Sequence, residues 1–251
     1  MVAAAVCPHP PVIVPQLAAG AAAELDGLRA ACAEAVARLR ATDADVLVVV
    51  GGAAETRRIA APFRVSFAPW GVTLSMGSQG EALPLSLAIA VWLLAGGPLA
   101  PSRAPGAALP PVSPVPDAPA LDGLVLQTVA SSASTAECRA LGERLVAGAE
   151  RVALLVMGDG SAERRETPHG YEDPRALPYD TLVAEALAAG DAHALLALDP
   201  ALSADLGAAG RAAWQVLAGA ALASGGTWQG DLLYDDAPYG VAYFVASWRP
   251  A

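Results

Sequence analysis

Lysine is absent from this sequence: all 15 basic residues are arginines, set against 25 aspartates and glutamates, for a formal net charge of −10. The densest basic points are the pairs Arg57-Arg58 and Arg164-Arg165, and no longer basic run forms a stripe. An acidic chain without a basic face is poorly suited to bind a phosphate backbone. We therefore predict no nucleic-acid partner and interpret the charge as a solubility feature.

Aromatic residues and cysteines are scarce as well. Aromatics make up 5% of the chain while hydrophobic residues make up 55%, so much of the apolar share is alanine, which predicts helices packed closely through small side chains. The three cysteines, Cys7, Cys32 and Cys138, form neither a CxxC pair nor a metal-ligand spacing. An odd number of cysteines argues against a disulfide framework and favours a reducing, cytoplasmic location.

The chain also lacks long apolar runs and the short motifs of several large enzyme classes. Its most apolar window, residues 83–94, is too short to span a bilayer, so we predict no membrane partner. The apolar residues 2–7 have neither the basic region nor the length of a signal peptide. No P-loop, no dinucleotide fingerprint and no Gly-x-Ser-x-Gly elbow is present, so the activities built on those motifs are not predicted.

What the sequence does contain is an alternation of strand and helix patterns. The apolar run 2–7 ends in prolines and predicts a buried strand, residues 19–41 carry apolar side chains at helical spacing, and residues 46–50 predict a buried parallel strand that ends at Gly51-Gly52. This order is the start of a right-handed crossover unit. Further strands are predicted at 123–130, 151–157, 227–234 and 240–248. Further helices are predicted at 83–95, 180–197 with Asp180 as N-cap, 199–207 and 208–223. Another helix runs through Leu145 from a cap at Ser134 or Thr135, with Glu137 spaced from Ser134 as in a capping box.

These elements predict a single α/β domain over residues 1–251, with a mixed, mostly parallel central sheet flanked by helices. Residues 98–119 hold eight prolines and are interpreted as an internal loop rather than a linker between domains. No internal repeat at a fixed period is visible.

Three predicted strand ends carry residues suited to chemistry, and in open α/β sheets ligands bind beyond the carboxyl ends of the strands. His9, held between prolines in extended backbone, is placed to present its imidazole to a metal or a substrate. Cys7 faces the same way two residues earlier, but a Cys-His nucleophile would need an oxyanion hole that the sequence does not place. The three strand ends are Cys7-Pro8-His9-Pro10-Pro11, Gly51-Gly52-Ala53-Ala54-Glu55 and Gly158-Asp159-Gly160-Ser161.

Each of these residues also has a structural interpretation. His9 can be a hydrogen-bonded histidine at a strand end, and Asp159 and Ser161 can cap the turn that follows them. His169 lies in a polar loop typical of solvated surface, and His193 lies on a predicted helix where a structural role is expected.

The order of these segments resembles the class III extradiol ring-cleavage dioxygenases, the LigB-type catalytic-subunit family, over nearly the whole chain. The opening, residues 5–11, resembles the family's first strand with its first iron-ligand histidine, and residues 45–52 resemble the strand that runs into the second. Residues 152–161 resemble the strand before the catalytic histidine, and residues 210–220 the late helix near the glutamate ligand. Residues 237–243, which include Tyr239, resemble the end of actinobacterial members described only as dioxygenase-like.

The departures from the family pattern fall on its iron site. The resemblance implies iron(II) held by two histidines and one glutamate, with another histidine as acid/base. His9 matches the first ligand, but the second falls at Gly52 or Ala53, the catalytic histidine at Ala162, and the glutamate at Gly210 or Arg211. One ligand of three cannot hold a facial triad, so we assign no cofactor, although the family implies iron(II).

Three hypotheses follow, and they leave open whether the chain is an enzyme. The first is a divergent relative of extradiol dioxygenases that binds a small molecule, with aromatic compounds among the candidates, near His9 without iron-dependent ring cleavage. The second is an active metal-dependent oxidoreductase, a dioxygenase with a rearranged site in which Glu55, Asp159, His169 or Asp235 joins His9. The third is a non-enzymatic interaction or scaffold protein on the same fold.

The candidate site residues divide by role. The expected partners are a small-molecule ligand and, by the resemblance, a second copy of the chain in a homodimer. The catalytic candidates are His9, Asp159 and Ser161, the ligand-binding candidates are Cys7, His9, Glu55, His169 and Tyr239, and the metal-ligand candidate is His9.

Overall fold

A seven-stranded sheet is the central element of this protein, whose computed structural model describes residues 1–77, 79–97, 123–164 and 172–251. The strands in chain order are β1 (Ala3–Cys7), β2 (Val46–Ala53), β3 (Arg58–Ile59), β4 (Phe63–Ser66), β5 (Ser75–Met76), β6 (Glu81–Ala82), β7 (Leu124–Ala130), β8 (Val152–Met157), β9 (Trp228–Asp236) and β10 (Tyr243–Pro250). The large sheet has the order β3-β7-β2-β8-β1-β10-β9, and β5-β4-β6 form a small second sheet.

The large sheet is mixed, and the prediction that it is mostly parallel is wrong. Within the described ranges, β7, β2, β8 and β1 pair in parallel, whereas β3–β7, β1–β10 and β10–β9 are antiparallel. The physical reason is that the last two strands form a hairpin that adds to the free edge of β1. The α/β fold class itself is confirmed.

Helices cover both faces of the sheet. Ala4 and Val6 of β1 face one side, and Ala5 and Cys7 face the other, as the two-residue period of a strand requires. Helices α4, α5, α6 and α8 pack on the first face, and α2 and α3 on the second. The helices are α1 (Pro15–Ala18), α2 (Asp26–Arg40), α3 (Leu85–Leu94), α4 (Thr135–Val146), α5 (Ala176–Ala189), α6 (Ala192–Leu196), α7 (Pro200–Asp205) and α8 (Arg211–Ala223).

Helices α4 and α8 cross at a contact between backbones. A Cβ added to Gly142 would overlap the carbonyl oxygen of Val216, and one added to Gly219 would overlap the carbonyl oxygen of Arg139. The expectation of helices packed through small side chains is met here by glycine. Only residues without a side chain allow the two backbones to approach this closely.

Several predicted boundaries differ from the structure. Strand β2 continues through Gly51-Gly52 to Ala53, and the short strands β3 to β6 lie where no element was predicted. Helix α5 begins at Ala176, so Asp180 lies inside the helix rather than at its N-cap. The capping box of Ser134 and Glu137 is confirmed. The loop predicted at 98–119 lies outside the described residues.

No helix in the described ranges is both long and apolar enough to span a membrane.

Candidate functional site

The carboxyl ends of β1, β2 and β8 lie side by side at one rim of the sheet. In the parallel registers, Met157 pairs with Cys7 of β1 and with Gly51 of β2. The backbone N–H of Gly158 donates to the carbonyl oxygen of Cys7 at 3.0 Å, which ties the ends of β1 and β8 together. The segments that follow these strands therefore share one rim, where ligands bind in open α/β sheets.

His9 and Asp159 contact each other at this rim. The backbone N–H of His9 donates to Asp159 Oδ1 at 2.7 Å, and Nδ1 of the imidazole lies 3.6 Å from the same oxygen. The two side chains are only 11% and 14% exposed. Nδ1 of His9 is buried and has no hydrogen-bond partner in the described part of the chain. A separation of 3.6 Å is too long for a hydrogen bond, so this ring nitrogen is left for another partner.

The Asp159 carboxyl lies among buried, weakly polar neighbours. Burial raises the pKa of Asp159, and the charge and backbone N–H of His9 oppose that shift. The pKa values of Tyr243 and Cys32 are raised, mainly by burial and further by the charge of Asp159. The side chain of Cys7 contacts Cys32 and adds to the rise in the pKa of Cys32. The site thus combines one imidazole and one carboxyl with a largely apolar surrounding on the α2 side of the sheet.

Replacing Asp159 with asparagine is expected to change how stability depends on pH. Because burial raises the Asp159 pKa above its ordinary value of 3.8, the folded protein holds this proton more tightly than the unfolded chain. This contribution to the unfolding free energy is fully present below the ordinary pKa of the carboxyl. It is lost as the pH rises through the higher pKa that Asp159 has in the folded protein. The unfolding free energy of wild type minus that of Asp159→Asn should fall over this window in urea titrations at a series of pH values. A difference that does not vary with pH would contradict the raised pKa.

Ser161 is bound to Asp180 rather than to His9. Its hydroxyl donates to Asp180 Oδ2 at 2.5 Å and its backbone N–H donates to Oδ1 at 2.9 Å, and both residues are buried. Arg164 Nη1 lies 3.2 Å from Asp180 Oδ2. The pKa of Asp235 is raised by burial, and its electrostatic neighbours are Arg164, Asp180 and Asp236. Asp235 therefore belongs to this second cluster.

The other predicted ligand-binding residues are dispersed. Cys7 is fully buried in β1. Glu55 is exposed in the segment after β2, with Arg57 as an electrostatic neighbour. Tyr239 donates its hydroxyl proton to Glu24 Oε2 at 2.9 Å. His193 is exposed on α6, and His169 lies outside the described residues, so its predicted role is neither supported nor opposed.

The positions at which the resemblance implies the other iron ligands lie around the same rim. A Cβ on Gly52 would lie 3.4 Å from the carbonyl oxygen of Ala209, and the N–H of Gly210 donates to the carbonyl oxygen of Asp159 at 2.8 Å. The N–H of Ala162 donates to the carbonyl oxygen of Leu206 at 2.8 Å. Within the described ranges, no group of three His, Cys, Asp or Glu side chains converges as a metal site. The described residues therefore do not fit the iron(II) centre that the resemblance implies.

The start of α8 is packed directly onto the end of β8. A Cβ on Gly158 would lie 2.5 Å from the Cα of Gly210 and 2.9 Å from Nε1 of Trp214, so both backbones approach as only glycine permits. Trp214 is completely buried beneath this contact. The segment 206–210 thus occupies part of the rim, beside the ends of β2 and β8.

A cleft of about 380 Å³ beside the first turn of α8 was not predicted from the sequence. Ser131 and Ser132, which follow β7, form one wall, and Arg211 and Ala212 of α8 form another. Arg211 is 3% exposed. The sequence does contain one signal for an unusual arginine here. Arg211 is the only charged residue of α8, so no acidic partner is available within its own helix.

No family model matches this chain, and no curated protein matches it. Among solved structures, the chain is similar to an uncharacterized protein of Escherichia coli K12, with 13% sequence identity and a TM-score of 0.43 over 99% of this chain and 100% of that one. A similarity of this degree carries no argument about function.

Proposed function

We propose that this protein binds a small molecule beside His9 and Asp159, at the rim formed by β1 and β8, without iron-dependent ring cleavage. The observation that carries the proposal is the buried Nδ1 of His9, which has no hydrogen-bond partner in the described part of the chain. A buried polar atom without a partner is unfavourable, so a ligand that hydrogen-bonds to it gains affinity. The neighbouring Asp159 carboxyl can receive a second polar group of the same ligand.

Aromatic hydroxyl compounds are the ligand class that we propose to test first. The resemblance to extradiol dioxygenases suggests rings with adjacent hydroxyls, and two hydroxyls suit a neighbouring imidazole and carboxyl. The buried side chains of Tyr243, Cys7 and Cys32 give the His9–Asp159 pair a weakly polar surrounding. We further propose a reducing cytoplasm as the location, because all three cysteines are free and buried.

The rebuilt metal enzyme has less support from the described residues. Of the candidates that the structure describes, Asp159 alone lies beside His9, because Glu55 is exposed after β2 and Asp235 neighbours Arg164 and Asp180. No specific surface of the described residues favours a scaffold function either. The exposed Leu177 and Leu182 of α5 are five residues apart and do not share one helix face.

The test uses the small number of histidines. With only three in the chain, histidine-labelled protein gives few imidazole signals in NMR, and His9→Ala assigns one of them. Titration with catechol should shift the His9 signal and leave that of the exposed His193 in place. The variant His9→Ala should weaken catechol binding by about tenfold or more, the loss of one good hydrogen bond, with an unchanged melting temperature. His193→Ala is the matched control and should bind as wild type.

Two results would reject the proposal. One is a His9 signal that does not respond to catechol or to a wider set of phenols and aromatic acids. The other is stoichiometric iron, zinc or manganese in protein purified without chelators that disappears in His9→Ala, since that result would replace a metal-free ligand site with a metal enzyme.

A further inference from the structure

We infer that the cleft at the start of α8 binds the carboxylate of a small organic acid, with Arg211 as the counter-charge. This site goes beyond the proposed function and is separate from it. Arg211 contacts the loop after β7 and α4 on one face of the sheet, whereas Asp159 and its neighbour Cys32 lie toward α2 on the other.

Arg211 carries a buried positive charge without a negative partner. Its Nη1 donates to the carbonyl oxygen of Ala133 and to Gln215 Oε1, and its Nη2 donates to the carbonyl oxygen of Ser131, all neutral acceptors. In the described ranges it forms no ion pair with a carboxylate. Among the described residues the other buried arginine is Arg29, whose Nη2 lies 2.5 Å from Asp26 Oδ1. Because arginine stays charged in proteins, burial without a counter-charge is unfavourable, and an anion in the adjoining cleft would relieve it.

The first turn of α8 also favours an anion in this cleft. Gly210 provides no side-chain cap, and no acceptor for the backbone N–H of Arg211 or Ala212 is found among the described residues. Arg211 and Ala212 both line the cleft. The beginning of a 13-residue helix carries a partial positive charge, which adds to the full charge of the guanidinium.

The lining of the cleft favours a small monocarboxylate. The hydroxyls of Ser131 and Ser132 form no hydrogen bond within the described structure and can donate to a carboxylate. The ring of Pro200 and the methyl groups of Ala204 and Ala208 offer apolar contact for a short carbon chain. A volume of about 380 Å³ holds a small molecule, and one guanidinium balances one negative charge. The net charge of −10 disfavours anions of higher charge.

The experiment titrates the full chain with sodium butyrate and follows backbone amides by NMR, at constant ionic strength. We expect the amides of Arg211 and Ala212 to shift with butyrate and not with butyramide, its uncharged counterpart. Arg211→Gln should weaken butyrate binding by about tenfold or more, since a charge-assisted hydrogen bond is lost.

A second pair of variants leaves Arg211 in place, because that side chain also holds two loop carbonyls. Ala209 is exposed and lines the cleft, so Ala209→Glu supplies a carboxylate to Arg211 from within the chain. This variant should also lose butyrate binding by about tenfold or more, while the neutral Ala209→Gln binds as wild type. The inference is overturned if butyrate shifts neither amide, if Ala209→Glu binds butyrate as well as Ala209→Gln does, or if inorganic phosphate binds where butyrate does not.

Discussion

Replacing Gly219 with alanine should lower the unfolding free energy by about 2–3 kcal/mol, although alanine is the better helix former by roughly 1 kcal/mol. The added methyl group would overlap the carbonyl oxygen of Arg139 on α4, and backbone atoms cannot move aside as a flexible side chain can. Helices α4 and α8 would have to separate, and the packing around them would loosen. The measurement is urea unfolding followed by circular dichroism.

The matched control for this substitution is Gly148→Ala. A Cβ at Gly148, just beyond α4, meets no atom within 4 Å, so its unfolding free energy should change by less than about 0.5 kcal/mol. Gly142→Ala, on the opposite helix, tests the same crossing and should resemble Gly219→Ala. If Gly219→Ala stabilised the protein by its helix propensity, the close approach of α4 and α8 would be disproved.

Replacing Asp180 with alanine should lower the unfolding free energy by about 2–5 kcal/mol, since each buried group that loses its acceptor costs roughly 1–3 kcal/mol. The substitution leaves the buried hydroxyl and backbone N–H of Ser161 without their acceptor and removes the partner of Arg164. Arg164 is 25% exposed, so water screens its charge in part and most of the loss comes from the two bonds of Ser161. Asp180→Asn keeps one acceptor oxygen, so its unfolding free energy should fall by less than that of Asp180→Ala.

An exposed ion pair provides the comparison for Asp180. Asp173 pairs with Arg175, whose side chain is 52% exposed, at 2.8 Å. Because such surface pairs contribute little, Asp173→Ala should lower the unfolding free energy far less than Asp180→Ala does in the same urea titration. Equal losses for Asp180→Ala and Asp173→Ala would show that the Asp180 cluster is not a buried anchor.

The helix boundaries show which interactions a sequence reveals. Ser134 and Glu137 bond to each other three residues apart, so the capping box could be predicted from their spacing. Asp180 has the residue type of an N-cap but bonds to Ser161, 19 residues away, and lies inside α5. Local patterns cannot distinguish an aspartate that caps its own helix from one that accepts from another segment.

The candidate site likewise has one part that could be predicted from the sequence and another that could not. Buried parallel strands bring their carboxyl ends to one rim, so the shared rim of His9 and Asp159 could be predicted from the order of strands and helices. The cleft beside Arg211 depends on where α8 begins and on the conformation of the loop after β7, and neither follows from periodicity. A mixed sheet and both final strands could be predicted, but not the direction in which β10 joins β1, because an apolar strand has the same pattern in either direction.

On the ribosome, β1 is made before every other strand described, yet it pairs with β8 and with β10, which are made about 150 and 240 residues later. At synthesis rates of about 5–20 residues per second, β8 follows β1 by roughly 8 to 30 seconds. Throughout that time the apolar β1 has neither of its partner strands. It can pair with β10 only after β10 has left the exit tunnel. Synthesis halted before β10 would therefore leave β1 as an open edge of the central sheet, where unpaired backbone groups favour pairing with other chains.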